Sequence, residues 1–112
     1  MYNVRLSEDA IEDLQQIKEY IASELVNEKA AVNTVSKIMK NLHVLEQFPM
    51  SGAPLSSIVD IETDYRFLVC GNYTAFYRKD GEDVLVSRVL YGRRDFMRIL
   101  FRETSEETDR TI

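Results

Sequence analysis

Hydrophobic positions recur at two different periods in the first quarter of the chain. Tyr2, Val4 and Leu6 alternate with polar residues, which predicts a short β-strand. From residue 8 the spacing becomes three and four, which predicts a helix over about 8–25 with Ser7 as its N-cap. The stripe on this helix consists of Ala10, Leu14, Ile17, Ile21 and Leu25.

A second helix is predicted directly after the first. Asn27 is its expected N-cap, and Pro49 ends it because proline cannot continue the hydrogen-bond ladder. Its apolar stripe is Ala31, Val35, Ile38, Leu42, Leu45 and Phe48. Two helices joined by so short a link lie antiparallel. Neither stripe is wide enough for a separate bundle, so we expect both helices to cover one face of a sheet.

The remaining pattern is that of strands and turns. Residues 50–57 have the composition of a loop, with glycine, proline and serine. Three strands follow, over residues 65–70, 73–78 and 84–91. Gly71-Asn72 and a turn centred on Asp80-Gly81 are hairpin signals between them. The last strand is the longest and most apolar, so we expect it to lie inside the sheet. Asp95 can cap a short terminal helix.

These elements predict an α+β fold class: strand, helix, helix, three-strand antiparallel meander and short C-terminal helix, with the helical hairpin packed on one sheet face. Residues 1–102 would form a single domain. Residues 103–112 would be an acidic, disordered tail, because they contain one apolar residue. The opposite sheet face is expected to stay free for a macromolecule.

Composition narrows the function classes. The 112 residues suffice for one domain, and the net charge of −5 argues against a general nucleic-acid binder. The charge is uneven: residues 64–102 carry eight basic and five acidic side chains, and residues 103–112 carry one and four. No run is long enough to span a membrane, and the single cysteine, Cys70, cannot form an internal disulfide. We therefore expect a cytoplasmic protein with no membrane partner.

The stretch LYGRRDF is the main candidate for chemistry. Gly92 is expected to end the final strand, which would leave Arg93 and Arg94 at the rim of the sheet, facing an anionic partner. Arg88 lies on the strand itself. A structural alternative exists for each: Arg66 and Arg88 could form cross-strand ion pairs, and Arg93 and Arg94 could pair with Asp95 or cap carbonyls.

Three stretches together resemble the RelE/ParE superfamily of bacterial toxins. They are AIEDLQQIKEYI followed by LEQFPMSGAPL with its Phe-Pro-x-x-Gly turn, DYRFLVCGNYTAFYRKDGEDV, and SRVLYGRRDF. The resemblance spans about residues 2–102. It implies the same fold, an antitoxin encoded beside the toxin as partner, and no cofactor or metal.

The superfamily divides by activity, which leaves two interpretations. RelE-like members cut messenger RNA in the ribosome, and that resemblance implies Arg66, Arg94 and Tyr91 as catalytic candidates. However, Thr74 stands where RelE-type catalysis uses an arginine, and Tyr91 where some ribonucleases carry a histidine. ParE-like members inhibit DNA gyrase, a protein target that suits an acidic chain. We therefore favour the ParE-like branch, with messenger-RNA cleavage as the alternative and a degenerate toxin as a third possibility.

Under the ParE-like interpretation, target binding falls to Arg88, Arg93 and Arg94. The terminal helix is the expected contact with the antitoxin, because so short a helix cannot hide all its apolar residues. The candidates are Phe96, Met97, Leu100 and Phe101. The alternatives are that these residues close the core or form a homodimer.

Overall fold

The structure, a computed structural model, describes residues 1–101. The elements are β1 (Asn3–Leu6), α1 (Glu8–Glu24), α2 (Glu28–His43), β2 (Ala53–Pro54), β3 (Arg66–Cys70), β4 (Tyr73–Asp80) and β5 (Asp83–Tyr91). Residues 96–101 are helical and are called the C-terminal helix below. The predicted α+β class and the order of the main elements are confirmed. The acidic tail, predicted over 103–112, lies outside the described residues.

Both long helices begin at the predicted caps. The Ser7 side chain accepts a hydrogen bond from the Ala10 amide, and the Asn27 side chain accepts one from the Ala30 amide, both at 3.0 Å. The second helix ends earlier than predicted: α2 stops at His43 and continues as a 3₁₀ turn. Phe48 is consequently 62% exposed, and its assignment to the apolar stripe was wrong, because the tighter turn carries it out of the register of α2.

The sheet has five strands in the order β1-β5-β4-β3-β2. Only β1 and β5 run parallel, and β5 is an interior strand as predicted. The segment 50–57 is not entirely loop, because Ala53 pairs with Phe67 as part of an edge strand. The last hairpin turn lies at residues 81–82, one position later than predicted, because Asp80 and Asp83 still pair.

The two helices cover one face of the sheet, called the helix-covered face below. Its buried residues come from both helices, the turn after α2 and three strands. They are Ala10, Leu14, Ile38, Leu42, Leu45, Cys70, Ala75, Tyr77, Val84, Val86 and Val89. This arrangement confirms the predicted packing of the helical hairpin.

The opposite face, called the second face below, is also covered, so the expectation of a free surface was wrong. Leu55, Phe67, Phe76 and Leu90 are buried there. Segments around Val59, Tyr65 and the C-terminal helix pack over them. The physical reason lies in β4: residues 74–77 are buried in succession, so this strand requires apolar cover on both sides.

Candidate functional site

The end of β5 places the two adjacent arginines. Gly92 has a φ of +58°, a left-handed conformation that glycine adopts without strain, and its amide donates to the Asn72 carbonyl at 2.7 Å. This hydrogen bond ties the end of β5 to the turn between β3 and β4. Arg93 and Arg94 therefore start from a fixed position at the rim of the sheet, as predicted.

The two arginines then point to different surroundings. The Arg93 guanidinium lies over the ring of Phe67, 5.4 Å from its centroid, and so belongs to the second face. Arg94 instead lines an open cleft of about 1200 Å³ between the helical hairpin and this end of the sheet. A single target surface would have to reach around the rim to contact both side chains.

The cleft is cationic and rich in tyrosine. Its basic residues are Lys37, Lys40, Arg88 and Arg94, and its tyrosines are Tyr20, Tyr73 and Tyr91. The rings of Tyr73 and Tyr91 meet edge to face, with centroids 5.5 Å apart. Burial raises the pKa of Tyr73 above its ordinary value, and the neighbouring Tyr91 and Tyr20 act in the same direction. Tyr73 therefore stays protonated at neutral pH, while the exposed Tyr91 is open to contact from solvent.

Arg88 is held inside the protein by Asp13 of α1. Its Nε and an Nη donate to the two Asp13 carboxylate oxygens, each at 2.8 Å. Asp13 also accepts from the Val89 amide at 2.9 Å, on the edge of β5 beyond the end of β1. These hydrogen bonds raise the pKa of Arg88 against the opposing effect of burial, so the guanidinium remains charged. Arg88 therefore pairs with a helix rather than across the sheet, so the cross-strand ion pair suggested as its structural alternative is not observed.

Sequence reasoning did not single out Asp13. Its position gives the missing signal, since it lies three residues after Ala10 and one before Leu14, on the buried side of α1. A carboxylate at such a position needs a buried partner. The sequence offers several basic side chains as partners, and Arg88 is the one the fold brings to it.

Arg66, a predicted catalytic residue, hydrogen-bonds to the chain itself. Its Nε donates to the Gly52 carbonyl at 3.0 Å and an Nη to the Met50 carbonyl at 3.2 Å. The Tyr77 hydroxyl completes the arrangement, because it donates to the Pro49 carbonyl and accepts from the Gly52 amide. This network explains the Phe-Pro-x-x-Gly turn, whose glycine has no room for a side chain: a Cβ there would lie 2.6 Å from the Phe67 carbonyl oxygen.

The four predicted antitoxin contacts lie on the C-terminal helix in different environments. Phe96 stacks on Phe76 with centroids 5.4 Å apart, and Phe101 meets Tyr65 edge to face at 5.8 Å. Leu100 packs against the same second-face cluster. Met97 is the most exposed of the four, at 39%. Three of the candidates therefore help to close the core, and a role in partner binding stays a prediction.

The ionisable side chains of the cleft are mainly lysines, arginines and tyrosines. Among residues 1–101, its one carboxylate, Asp13, is occupied by Arg88 and Val89, and no histidine lines it. Thr74 is buried on β4. In the part of the chain that the structure describes, no group of three or more metal-ligating side chains could hold a metal ion. The cleft thus offers cations and aromatic rings that suit an anionic or aromatic group.

No helix within residues 1–101 is long and apolar enough to cross a membrane.

Comparisons with known proteins agree with this architecture. In the solved chromosomal ParDE toxin–antitoxin system from P. aeruginosa, a chain shares 22% identity with a TM-score of 0.70, covering 82% of this chain and 97% of that one. In the toxin–antitoxin complex RelBE2 from Mycobacterium tuberculosis, a chain shares 21% identity with a TM-score of 0.58, covering 80% and 96%. No curated protein matches the sequence.

The family assignment comes from the sequence itself. The family model of the ParE toxin of the type II toxin–antitoxin system parDE matches residues 4–96, from β1 to the start of the C-terminal helix. That range includes the helical hairpin, the Phe-Pro-x-x-Gly turn and the Gly-Arg-Arg end of β5. The chain belongs to the ParE family of toxins from type II toxin–antitoxin systems.

Proposed function

We propose that this toxin inhibits DNA gyrase and is neutralised by an antitoxin encoded beside it. The observation that carries the proposal is the engagement of the strand arginines. Arg66 is bonded to the carbonyls of Met50 and Gly52, and Arg88 is bonded to Asp13. The RelE-like interpretation assigns Arg66 to stabilising a pentacoordinate phosphate, for which its guanidinium would have to be free. Gyrase inhibition through a binding surface requires no acid–base set.

The net charge of −5 supports a protein target. A ribosome-bound nuclease gains affinity by neutralising many phosphates, which favours strongly basic proteins. Here four basic side chains, Lys37, Lys40, Arg88 and Arg94, lie together in the cleft of a chain that is acidic as a whole. The antitoxin part of the proposal is supported by the two solved relatives, which are described as members of toxin–antitoxin pairs.

A supercoiling assay with purified gyrase tests the target. Added in stoichiometric excess, the toxin should reduce supercoiling, and Arg94→Ala should weaken the inhibition because it removes a cleft cation. Arg98→Ala is the matched control, since Arg98 is exposed and pairs with Asp95 on the C-terminal helix. Undiminished supercoiling at high toxin excess would remove gyrase as the target.

The endoribonuclease alternative rests on one observation. Tyr91 is exposed and lines the same cleft as Arg94, an arrangement that could place a hydroxyl and a cation on one phosphate. The test is a translating extract in which transcript length is followed after toxin addition. We expect intact transcripts. Cleavage that disappears with Tyr91→Phe or Arg94→Ala would replace the gyrase proposal with the enzymatic one.

A further inference from the structure

Three basic side chains of the cleft have no ionic partner among residues 1–101. Lys37, Lys40 and Arg94 line the cleft, and none of them forms an ion pair within that range. Among the described residues, the only carboxylate in the lining is Asp13, and it pairs with Arg88. The cleft is therefore a local concentration of positive charge on a chain whose net charge is −5.

These cations approach the turn between β3 and β4, because Lys40 adjoins Asn41, whose side chain hydrogen-bonds to the Cys70 thiol at the end of β3. Lys37 and Lys40 are one helical turn apart on α2, so they share a side of that helix. Arg94 follows Gly92, whose amide is bonded to the Asn72 carbonyl in the turn. An acidic segment bound here could contact the lysines of α2 and Arg94 at the rim of the sheet at the same time.

The chain itself supplies such a segment. Ile99 of the C-terminal helix lines the same cleft, whereas Phe101, two residues later, packs against Tyr65 on the second face. Residues 103–112 carry four acidic side chains and one basic one. An extended chain rises about 3.3 Å per residue, so the ten residues reach roughly 30 Å, enough to return past Ile99 to the cleft. The acidic side chains are Glu103, Glu106, Glu107 and Asp109.

We propose that residues 103–112 bind across the cleft of their own chain, with their carboxylates on Lys37, Lys40 and Arg94. Because the segment is tethered, its effective concentration is on the order of millimolar, so weak contacts suffice for occupancy. The tail then shields the cleft in the isolated toxin. An acidic segment of another protein must displace it in order to bind there.

Carbodiimide cross-linking of the full chain tests this directly, because the reagent joins a lysine to a carboxylate only where the two touch. At micromolar protein, the monomer band should contain links from Lys37 or Lys40 to the tail carboxylates. Lys18 and Lys29 are the matched controls, since both are exposed and neither lines the cleft. Their links to the tail should be much rarer.

Salt and charge removal provide two further measurements. Raising the salt from 0.1 M to 1 M shortens the Debye length from about 10 Å to about 3 Å, so the cross-links between the cleft lysines and the tail should be lost.

Removing the tail charges provides an NMR measurement. In the full chain with all four tail carboxylates changed to amides, the backbone amide NMR signals of Asn72 and Gly92 should shift. The signal of Val4, on the far edge of the sheet, should not.

The outcomes separate the possible occupants. Links at Lys18 and Lys29 as frequent as those at Lys37 and Lys40, or unchanged amide signals, would overturn the proposal. Cleft links found only in the dimer band would assign the site to the tail of a second copy instead. None of these measurements uses gyrase or an antitoxin, so the result is independent of the function proposed above.

Discussion

The helix-covered face and the second face of the sheet are both closed, but by different kinds of structure. Two long helices with side-chain caps cover the first, and each has a continuous apolar stripe. The second is covered by short pieces that are far apart in sequence, chiefly Leu55 and the C-terminal helix. Hydrophobic periodicity reveals a long amphipathic helix that covers a sheet face. Short segments that are far apart in sequence show no such periodicity, so their packing on the second face could not be predicted from it.

The largest expected effect tests whether the second face is a true core. Phe76 is fully buried, so Phe76→Ala should reduce the free energy of unfolding by about 3–5 kcal/mol. Leu42→Ala is the matched change on the helix-covered face, with an expected loss of about 2–5 kcal/mol. Urea unfolding of both variants measures the difference. A Phe76→Ala variant as stable as the parent would mean that the second face contributes only a surface contact.

The next effect concerns the ion pair that fastens α1 to β5. Asp13→Ala leaves the Arg88 charge and the Val89 amide without their partner, so a loss of about 3 kcal/mol is expected. Glu12→Ala, at an exposed neighbouring position, should change stability by less than about 0.5 kcal/mol. In a double-mutant cycle with Arg88→Ala, the coupling should exceed about 1 kcal/mol. Strictly additive losses would show that the two residues do not act as a pair.

A third effect addresses the turn that Arg66 and Tyr77 fasten to the sheet. Gly52→Ala places a Cβ against the Phe67 carbonyl and the Tyr77 hydroxyl, so thermal or urea unfolding should show a loss of about 1–3 kcal/mol. Gly71→Ala serves as the comparison, because nothing lies within 4 Å and only its positive φ opposes the change. A Gly52→Ala variant as stable as the parent would mean that the crowding at Gly52 is relieved at no cost.

The smallest effect separates core from surface on the C-terminal helix. Phe96→Ala removes the stacking on Phe76 and should cost about 1–2 kcal/mol. Met97→Ala, at a more exposed position, should cost less than about 0.5 kcal/mol. Chemical denaturation gives both values. If Met97→Ala were the more destabilising variant, the assignment of the two side chains to inside and outside would have to be reversed.

Much of the fold could be predicted because its signals are local. Ser7 and Asn27 mark the helix starts, and Gly71 marks a hairpin. The edge strand Ala53–Pro54 could not be predicted, since two residues are too few to show an alternation of apolar and polar positions. Phe48 was misplaced because nothing in the sequence shows that the second helix tightens after His43.

The sequence predicted where the arginines of the candidate site lie, but not which groups they hydrogen-bond to. Gly92 does end β5 and leaves Arg93 and Arg94 at the rim. The partner of Arg88 is a residue 75 positions earlier, and the partners of Arg66 are backbone carbonyls. Such pairings depend on where α1 and the turn after α2 pack against the sheet. The spacing of residues in the sequence does not predict these tertiary contacts.

The parallel pairing of β1 with β5 has a consequence for biosynthesis. Asn3 to Leu6 hydrogen-bond to a strand that begins at Asp83, so the first strand has no partner until the last one has been synthesised. Contacts this distant along the chain form late and slow the folding reaction. The sheet of a nascent chain thus remains incomplete until almost the whole described domain has left the ribosome.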